Sequence, residues 1–387
     1  MLMALWLCGC TPGQLSLQQR PLDAAATAVP AEAPPTDLAQ GTPPTSVWQR
    51  LTANFSLPQA DHPQVAQQRA LLLKHPNHLS RTQEQAEPYI GFILDEIERR
   101  DMPGELALLP MIESGYRPQA LSPSRAAGLW QFIPATGRAF GLSSNHWYEG
   151  RQDVAASTKA ALDYLSRIHA DFDHDWALTL AAYNAGEPAL RRAIRNNRKR
   201  GRPTDFWSLD LPRETRAYVP KLLALKEIFE SPERYGIELK SGQGQGPLQL
   251  VDLDSPMDLG LVARLAEIGM ERLRQLNPGF KSWFTGPSGP HRLLLPAEKA
   301  EQFSQRLAQV PLAERLRLRK HRVSKGDTLA KLAAHYNCDV ALIKSTNNLK
   351  SDRLKVASTL LIPTPYPIET ATKQAANRPA SRPQPAS

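Results

Sequence analysis

The chain has 387 residues, enough for two or three domains. Its 41% hydrophobic and 22% charged content is an ordinary globular balance, but 34 prolines are too many for one compact fold. The net charge of +9 suits an anionic partner, such as nucleic acid, acidic lipid or a wall polymer bearing peptide carboxylates, and says nothing of fold. No run of alternating basic and aromatic residues favours nucleic acid, so none is expected as a partner.

The first ten residues, MLMALWLCGC, form an apolar run too short to span a bilayer. Leu7-Cys8-Gly9-Cys10 resembles a bacterial lipobox, although no Lys or Arg precedes the run. The resemblance implies a signal segment over 1–9, cleavage before Cys10 and acylation of its thiol. Thr11 follows where an aspartate would signal inner-membrane retention. The resemblance therefore implies an outer-membrane lipid anchor facing the periplasm. Besides Cys8 and Cys10 only Cys338 occurs. The spacings offer neither a zinc site nor a disulfide framework, and Cys338 reads as a small half-buried hydrophobe.

Residues 10–46, rich in Pro, Ala, Gln and Thr, read as a flexible tether. Apolar residues return at Val47, and 47–84 reads as a helical N-terminal extension to a main domain over 85–232. Helical spacing of Ala86, Ile90, Ile93, Leu94 and Ile97 predicts a helix over 83–101, broken at Asp101-Met102-Pro103-Gly104. A second helix is predicted from Glu105 to Ser114, with Pro110 imposing a kink or an early start. Further helices are expected over 153–170, from an Asp175 cap to Gly186, and from Pro212 to Glu230. The basic run Arg191 to Arg202 reads as a solvated face and loop. No stretch of 60–232 shows sustained period-2 alternation.

SGQGQG at 241–246 reads as a linker, and beyond it the chain repeats itself. VARLAEIGMERLRQLNPGF and LAKLAAHYNCDVALIKSTNNL both run from a helical start through a break and a second helix to an asparagine, Asn277 or Asn347. Strand-like pieces precede them, at Leu248 to Leu253 and His321 to Ser324. Apolar triplets before Pro296 and Pro363 close them. The predicted order is strand, helix, helix, strand, twice, over 248–310 and 321–363. Residues 364–387 read as a disordered tail.

Chemistry concentrates in Glu113-Ser114, Gly128-Leu129-Trp130-Gln131-Phe132 and Ala182-Tyr183-Asn184-Ala185-Gly186. Glu113 ends an apolar run. Partial desolvation there would raise its pKa and keep it a proton donor near neutrality. Taken alone, it reads rather as a surface carboxylate at a helix end. An amide such as Gln131 offers a donor and an acceptor to sugar hydroxyls and acetamides. Trp130 reads as core rather than as a sugar platform. Asp153, Asp163, Asp175 and Glu187 read as helix caps or surface charges, not as a second catalytic carboxylate.

These motifs, with Pro134, Thr136 and Gly137, and with ETRAYVP at 214–220, resemble the catalytic domain of family 1 lytic transglycosylases. In layout the chain is similar to the membrane-bound members with C-terminal LysM modules. The resemblance implies a mainly α chain, with a goose-lysozyme-like helical catalytic domain followed by small βααβ LysM-type modules. It implies Glu113 as the single acid/base and Ser114, Gln131, Tyr183, Asn184 and Tyr218 as substrate-binding residues. It implies cleavage of the bond between N-acetylmuramic acid and N-acetylglucosamine, with closure of a 1,6-anhydro ring and no cofactor or metal; the alternatives are a goose-type muramidase hydrolysing the same bond and a non-catalytic peptidoglycan-binding lipoprotein. One departure is Ser124-Arg125, which stands where small residues are usual. HRVSKGDTLAKLAAHYNCDVALIKSTNNLKSDRLKVASTLLIP resembles LysM. That implies glycan contacts at Gly326, Asp327, Thr328, Asn347, Asn348 and Leu349. The degenerate copy lacks Gly-Asp-Thr and reads as a weak glycan binder or as a structural spacer. The partners implied are peptidoglycan glycan strands and the lipid anchor, and the chain is expected to be a monomer.

Overall fold

The computed structural model describes residues 46–239, 246–286 and 289–365. The signal segment, Cys10, nearly all of the tether, the SGQGQ linker and the tail from residue 366 lie outside the described residues.

The first region is built from helices. α1 (Val47–Ala53) begins with a capping box in which Ser46 and Gln49 satisfy each other's backbone N–H groups. Trp48 and Leu51 of α1 are fully buried, and the Trp48 ring packs on Phe229 at 5.4 Å. α2 (Pro63–Leu73) and α3 (Pro76–Ala86) each start with a proline inside the first turn, where no intrahelical N–H is lost. α4 (Ile90–Glu98) is the apolar helix expected from its periodicity. The predicted helix over 83–101 is in fact two elements. Pro88 cannot continue the hydrogen-bond ladder, so α3 stops at Ala86 and α4 starts at Ile90.

A 3-10 turn over Gly104–Leu108 passes into α5 (Leu109–Glu113), with Pro110 at the junction where a kink is expected. α6 (Pro134–Ala139), α7 (Val154–Asp171), α8 (Trp176–Ala185), α9 (Glu187–Lys199) and α10 (Arg213–Glu230) complete the region. Asp153 caps α7 through Ala156 N, and Asp175 caps α8 through Leu178 N. The basic run Arg191 to Arg202 is mostly the solvated face of α9, which buries Leu190, Ala193 and Asn197.

Residues 47–84, read as an N-terminal extension, are packed into the main core. Trp48, Leu51, Leu57, Val65 and Leu79 share one continuous core with α4, α7, α8 and α10. A buried polar knot fixes the joint. The Glu105 carboxylate accepts from Ser56 N and Leu57 N, while Lys226 Nζ donates to Leu57 O at 2.7 Å. Paired in this way, two buried charges retain most of the hydrogen bonding that water would supply.

The two repeats fold as expected, with small differences. β1 (Leu248–Asp252), α11 (Leu259–Ala266), α12 (Met270–Leu276) and β2 (Arg292–Pro296) form the first, the strands pairing antiparallel with Leu248 opposite Pro296. A further helix, α13 (Ala297–Leu307), seals it with Ala300, Phe303 and Leu307. β3 (Leu318–Arg322), α14 (Leu329–His335), α15 (Val340–Thr346) and β4 (Thr359–Pro363) form the second. Its first strand begins three residues before the predicted His321. Leu318, Arg319 and Lys320 are all exposed, so the sequence carries no inside-outside alternation there.

The first repeat lies directly on the helical region. Leu276 and Leu294 enter the main core, and Tyr89 donates its hydroxyl to Gln275 O at 3.0 Å. Glu149 N donates to Gly279 O and Lys281 N to Trp147 O, each at 2.8 Å. A side chain at Gly279 would meet Asp153 Cβ at 2.9 Å, so the backbones approach as only glycine allows. The second repeat keeps its own small core of Val323, Leu329, Leu332, Ile343, Leu360 and Ile362.

Candidate active site

A cleft of about 820 Å³ opens in the helical region, and Glu113 lies on its wall. α5 is barely more than one turn, so its last residue would be poorly held by helix formation alone. Tertiary bonds hold it instead. Ser114, the C-cap, is 3% exposed and donates its hydroxyl to Pro110 O and to Leu129 O at 3.0 Å. This ties the end of α5 to the GLWQF segment. Ser114 itself is not among the residues lining the cleft.

The Tyr218 hydroxyl donates to Glu113 Oε1 at 2.6 Å. Burial raises the Glu113 pKa from 4.5 to about 7. The Tyr218 hydrogen bond opposes the rise, the Glu214 carboxylate adds to it and Lys221 opposes it. Tyr218 and Tyr183 are both pushed well above the ordinary tyrosine value, by burial first and then by Glu113. They stand as neutral hydroxyl donors. Lys221 is lowered by burial, and Glu113 works against that shift.

The GLWQF turn needs its glycine. Gly128 has φ +85°, and a Cβ there would fall 1.7 Å from Arg151 O. Gln131 is also left-handed, at φ +48°, and donates Nε2 to Gly128 O at 2.8 Å while lining the cleft. Trp130 is 1% exposed and gives its indole N–H to Thr158 Oγ1, as a core residue should. Tyr183 lines the cleft and donates its hydroxyl to Trp130 O at 2.8 Å. Asn184 also lines it, its Oδ1 accepting from Thr215 Oγ1. Of the residues expected at the site, Glu113, Gln131, Tyr183, Asn184 and Tyr218 therefore share one cleft. Arg125 does not line it.

The sequence reading missed two groups. Glu214 and Lys221 line the cleft with Tyr218. Their spacing of four and three residues from Tyr218 on one helix was the available signal. Gln68, Leu71, Leu72, His75 and His78 also line it, from the segment read as an extension. No local pattern there pointed to chemistry. Asp153 and Asp175 are caps, while Asp163 and Glu187 pair with Lys159 and Arg167; none lines the cleft. Among the described residues no cluster of His, Cys, Asp or Glu could hold a metal ion.

In the second repeat Gly326 is left-handed with open space around it, and Thr328 caps α14 through Lys331 N. The Asp327 carboxylate accepts from Ser324 N and lies 3.0 Å from His321 Nε2; the His321 contact holds its pKa below the usual range. Asn347 is committed to the fold. Its amide donates to Ile343 O and Leu361 O, and its oxygen accepts from Leu361 N. Asn277 makes the same three bonds in the first repeat, to Leu273 and Leu294. Asn348 is exposed and left-handed at φ +53°, and Leu349 packs partly against the module's core.

Residues 93–206 match the Transglycosylase SLT domain, 248–312 the LysM-like domain of lytic transglycosylase MltD, and 321–363 the LysM domain. Fold and site define a peptidoglycan lytic transglycosylase with C-terminal LysM-type modules. The chain is 37% identical to membrane-bound lytic murein transglycosylase D of Escherichia coli over 330 residues, 83% of this chain and 73% of that one. It belongs to that family. It is also 46% identical over 121 residues to a putative tributyltin chloride resistance protein of Alteromonas, covering 31% of this chain and 58% of that one. The 70 kDa soluble lytic transglycosylase of Escherichia coli aligns at 23% identity and a TM-score of 0.27, over 34% of this chain and 22% of the other. Among the described residues no helix is long and apolar enough to cross a membrane.

Proposed function

We propose that the cleft holds a peptidoglycan glycan strand and that Glu113 alone serves as acid and then base. The observation that carries this reading is the Glu113 carboxyl, raised to about 7 by burial and held by Tyr218. Protonated, Glu113 gives its proton to the oxygen between N-acetylmuramic acid and N-acetylglucosamine as the C1–O bond breaks. The resulting carboxylate takes the proton of the muramyl C6 hydroxyl, whose oxygen bonds to C1. A 1,6-anhydro end forms without water. The attacking hydroxyl belongs to the same sugar, so proximity lowers the barrier by roughly 7–11 kcal/mol in favourable cases. Tyr218 and Asn184 orient the acetamide, Gln131 and Tyr183 contact the strand, and Ser114 positions Glu113.

The chain then divides into a tether, a catalytic region with its N-terminal helices, a docked LysM-like spacer and a LysM module. Gly326, Asp327, Thr328, Asn348 and Leu349 line that module's glycan-binding loops. A lipid on Cys10 holds the protein, as a monomer, to the periplasmic face of the outer membrane. Digestion of purified peptidoglycan, with mass analysis of the fragments, tests the reading. Wild type should release anhydro ends and Glu113→Gln none. Ends heavier by one water would instead assign hydrolysis, for which Glu214, exposed in the cleft, is the available second carboxylate.

A further inference from the structure

We propose that the α2–α3 corner is a saccharide-binding wall of the cleft, in which Leu71 and His78 contact neutral amino-sugar units of the bound strand. The inference rests on the glycan-cleaving reading above and adds a specificity element outside the matched SLT segment, 93–206.

Four observations carry it. Gln68, Leu71, Leu72, His75 and His78 line the same cleft as Glu113. Leu71 is 46% exposed, and so is Ile133, which lines the cleft from the turn before α6. Exposed large apolar side chains gathered in one concavity mark a binding surface more than scattered ones do. They suit the C–H faces and acetamide methyls of amino sugars, while the amide and imidazoles offer donors and acceptors to hydroxyls.

The wall also has no Asp, Glu, Lys or Arg among the five. The charges of the cleft sit on Glu113, Glu214 and Lys221. With no Lys or Arg of its own, the wall offers the carboxylates of a peptide stem no permanent cation to pair with. Finally, the wall is anchored to the core. α2 packs on α10 through buried Val65 and an Arg69–Glu227 ion pair. His62 caps α2 and stacks on Trp207 at 4.0 Å, and α3 is anchored by Leu79, Thr82 and Ala86. A preformed surface spends little of its binding energy on ordering itself. The cleft volume, near the upper end for ligand sites, leaves room for several sugar units.

The test uses the full chain carrying Leu71→Ser with His78→Ala; both residues are exposed, so the fold is not at risk. Gln67→Ala, exposed on α2 and outside the cleft, is the control. Substrates are glycan strands freed of peptide stems and strands with stems intact. KM on stem-free strands should rise about five- to tenfold with kcat within about twofold. The control should match wild type. In a Glu113→Gln background the double change should weaken binding of stem-free strands by the same factor. An unchanged KM and affinity on stem-free strands overturns the proposal, as does a defect confined to stem-bearing strands. If wild type cleaves nothing, the catalytic reading fails, and the binding comparison still decides the role of the wall.

Discussion

Glu113 and Tyr218 lie 105 residues apart in sequence and 2.6 Å apart in space. The carboxyl comes from the end of a five-residue helix, the phenol from the middle of an 18-residue one. The pairing sets two opposed influences on one proton. Burial makes ionisation of Glu113 costly, and the phenol, which donates to the carboxylate form, returns part of that cost.

That balance makes stability depend on pH. The unfolded chain ionises Glu113 near 4.5 and the folded chain near 7. Between those values the folded state binds more protons, so stability is full below 4.5 and falls as pH rises through 7. Glu113→Gln stays neutral in both states and escapes the loss. The variant should match wild type near pH 4 and exceed it at pH 8 by on the order of 2–3 kcal/mol, since the group borders cleft water. Urea melts of both proteins at the two pH values measure this. An equal difference at both would mean the carboxyl is solvated.

Tyr218→Phe keeps the ring and removes the donor. Without it the Glu113 pKa moves further up. Cleavage that requires protonated Glu113 should then persist to higher pH, its alkaline limb displaced upward. The rate at the optimum should drop about tenfold or more, because the carboxylate formed during the reaction loses a fixed hydrogen bond. Initial rates on soluble glycan fragments from pH 5 to 9 give both readouts. A falling rate with an unmoved limb would assign Tyr218 to the substrate and not to Glu113.

How much of this was readable beforehand depended on the range of the forces involved. Helices α4, α7, α8 and α10 follow from periodicity and from caps such as Asp153 and Asp175, which act within one turn. Pro88 shows the limit of periodicity, since the apolar spacing runs straight through a residue that halts the helix. Four motifs, ETRAYVP among them, carried the resemblance that implied Glu113, Gln131, Tyr183, Asn184 and Tyr218 as one site, and all five line one cleft. Leu71 and His78 escaped notice because their place depends on how α2 packs against α10, a relation between segments some 150 residues apart. Ser114 was expected among the substrate-binding residues from the resemblance alone; its hydroxyl donates to the backbone carbonyls of Pro110 and Leu129, bonds no local pattern announces.

The paired asparagines give the last prediction. Asn277 and Asn347 each close the same loop, one amide spanning a helix end and the returning strand. Removing such a side chain leaves a strand N–H and C=O without partners, at about 1–3 kcal/mol. Asn347→Ala should therefore destabilise the C-terminal module, and its glycan binding should recover on cooling as the fold recovers. Asn348→Gly keeps the left-handed backbone and removes only an exposed amide. That variant should melt like wild type and bind glycan more weakly at every temperature. Thermal melts paired with affinity for chitin oligosaccharides separate the two cases. Loss of binding by Asn347→Ala with an unshifted melt would return Asn347 to the glycan surface and leave the repeated asparagine without a structural reason.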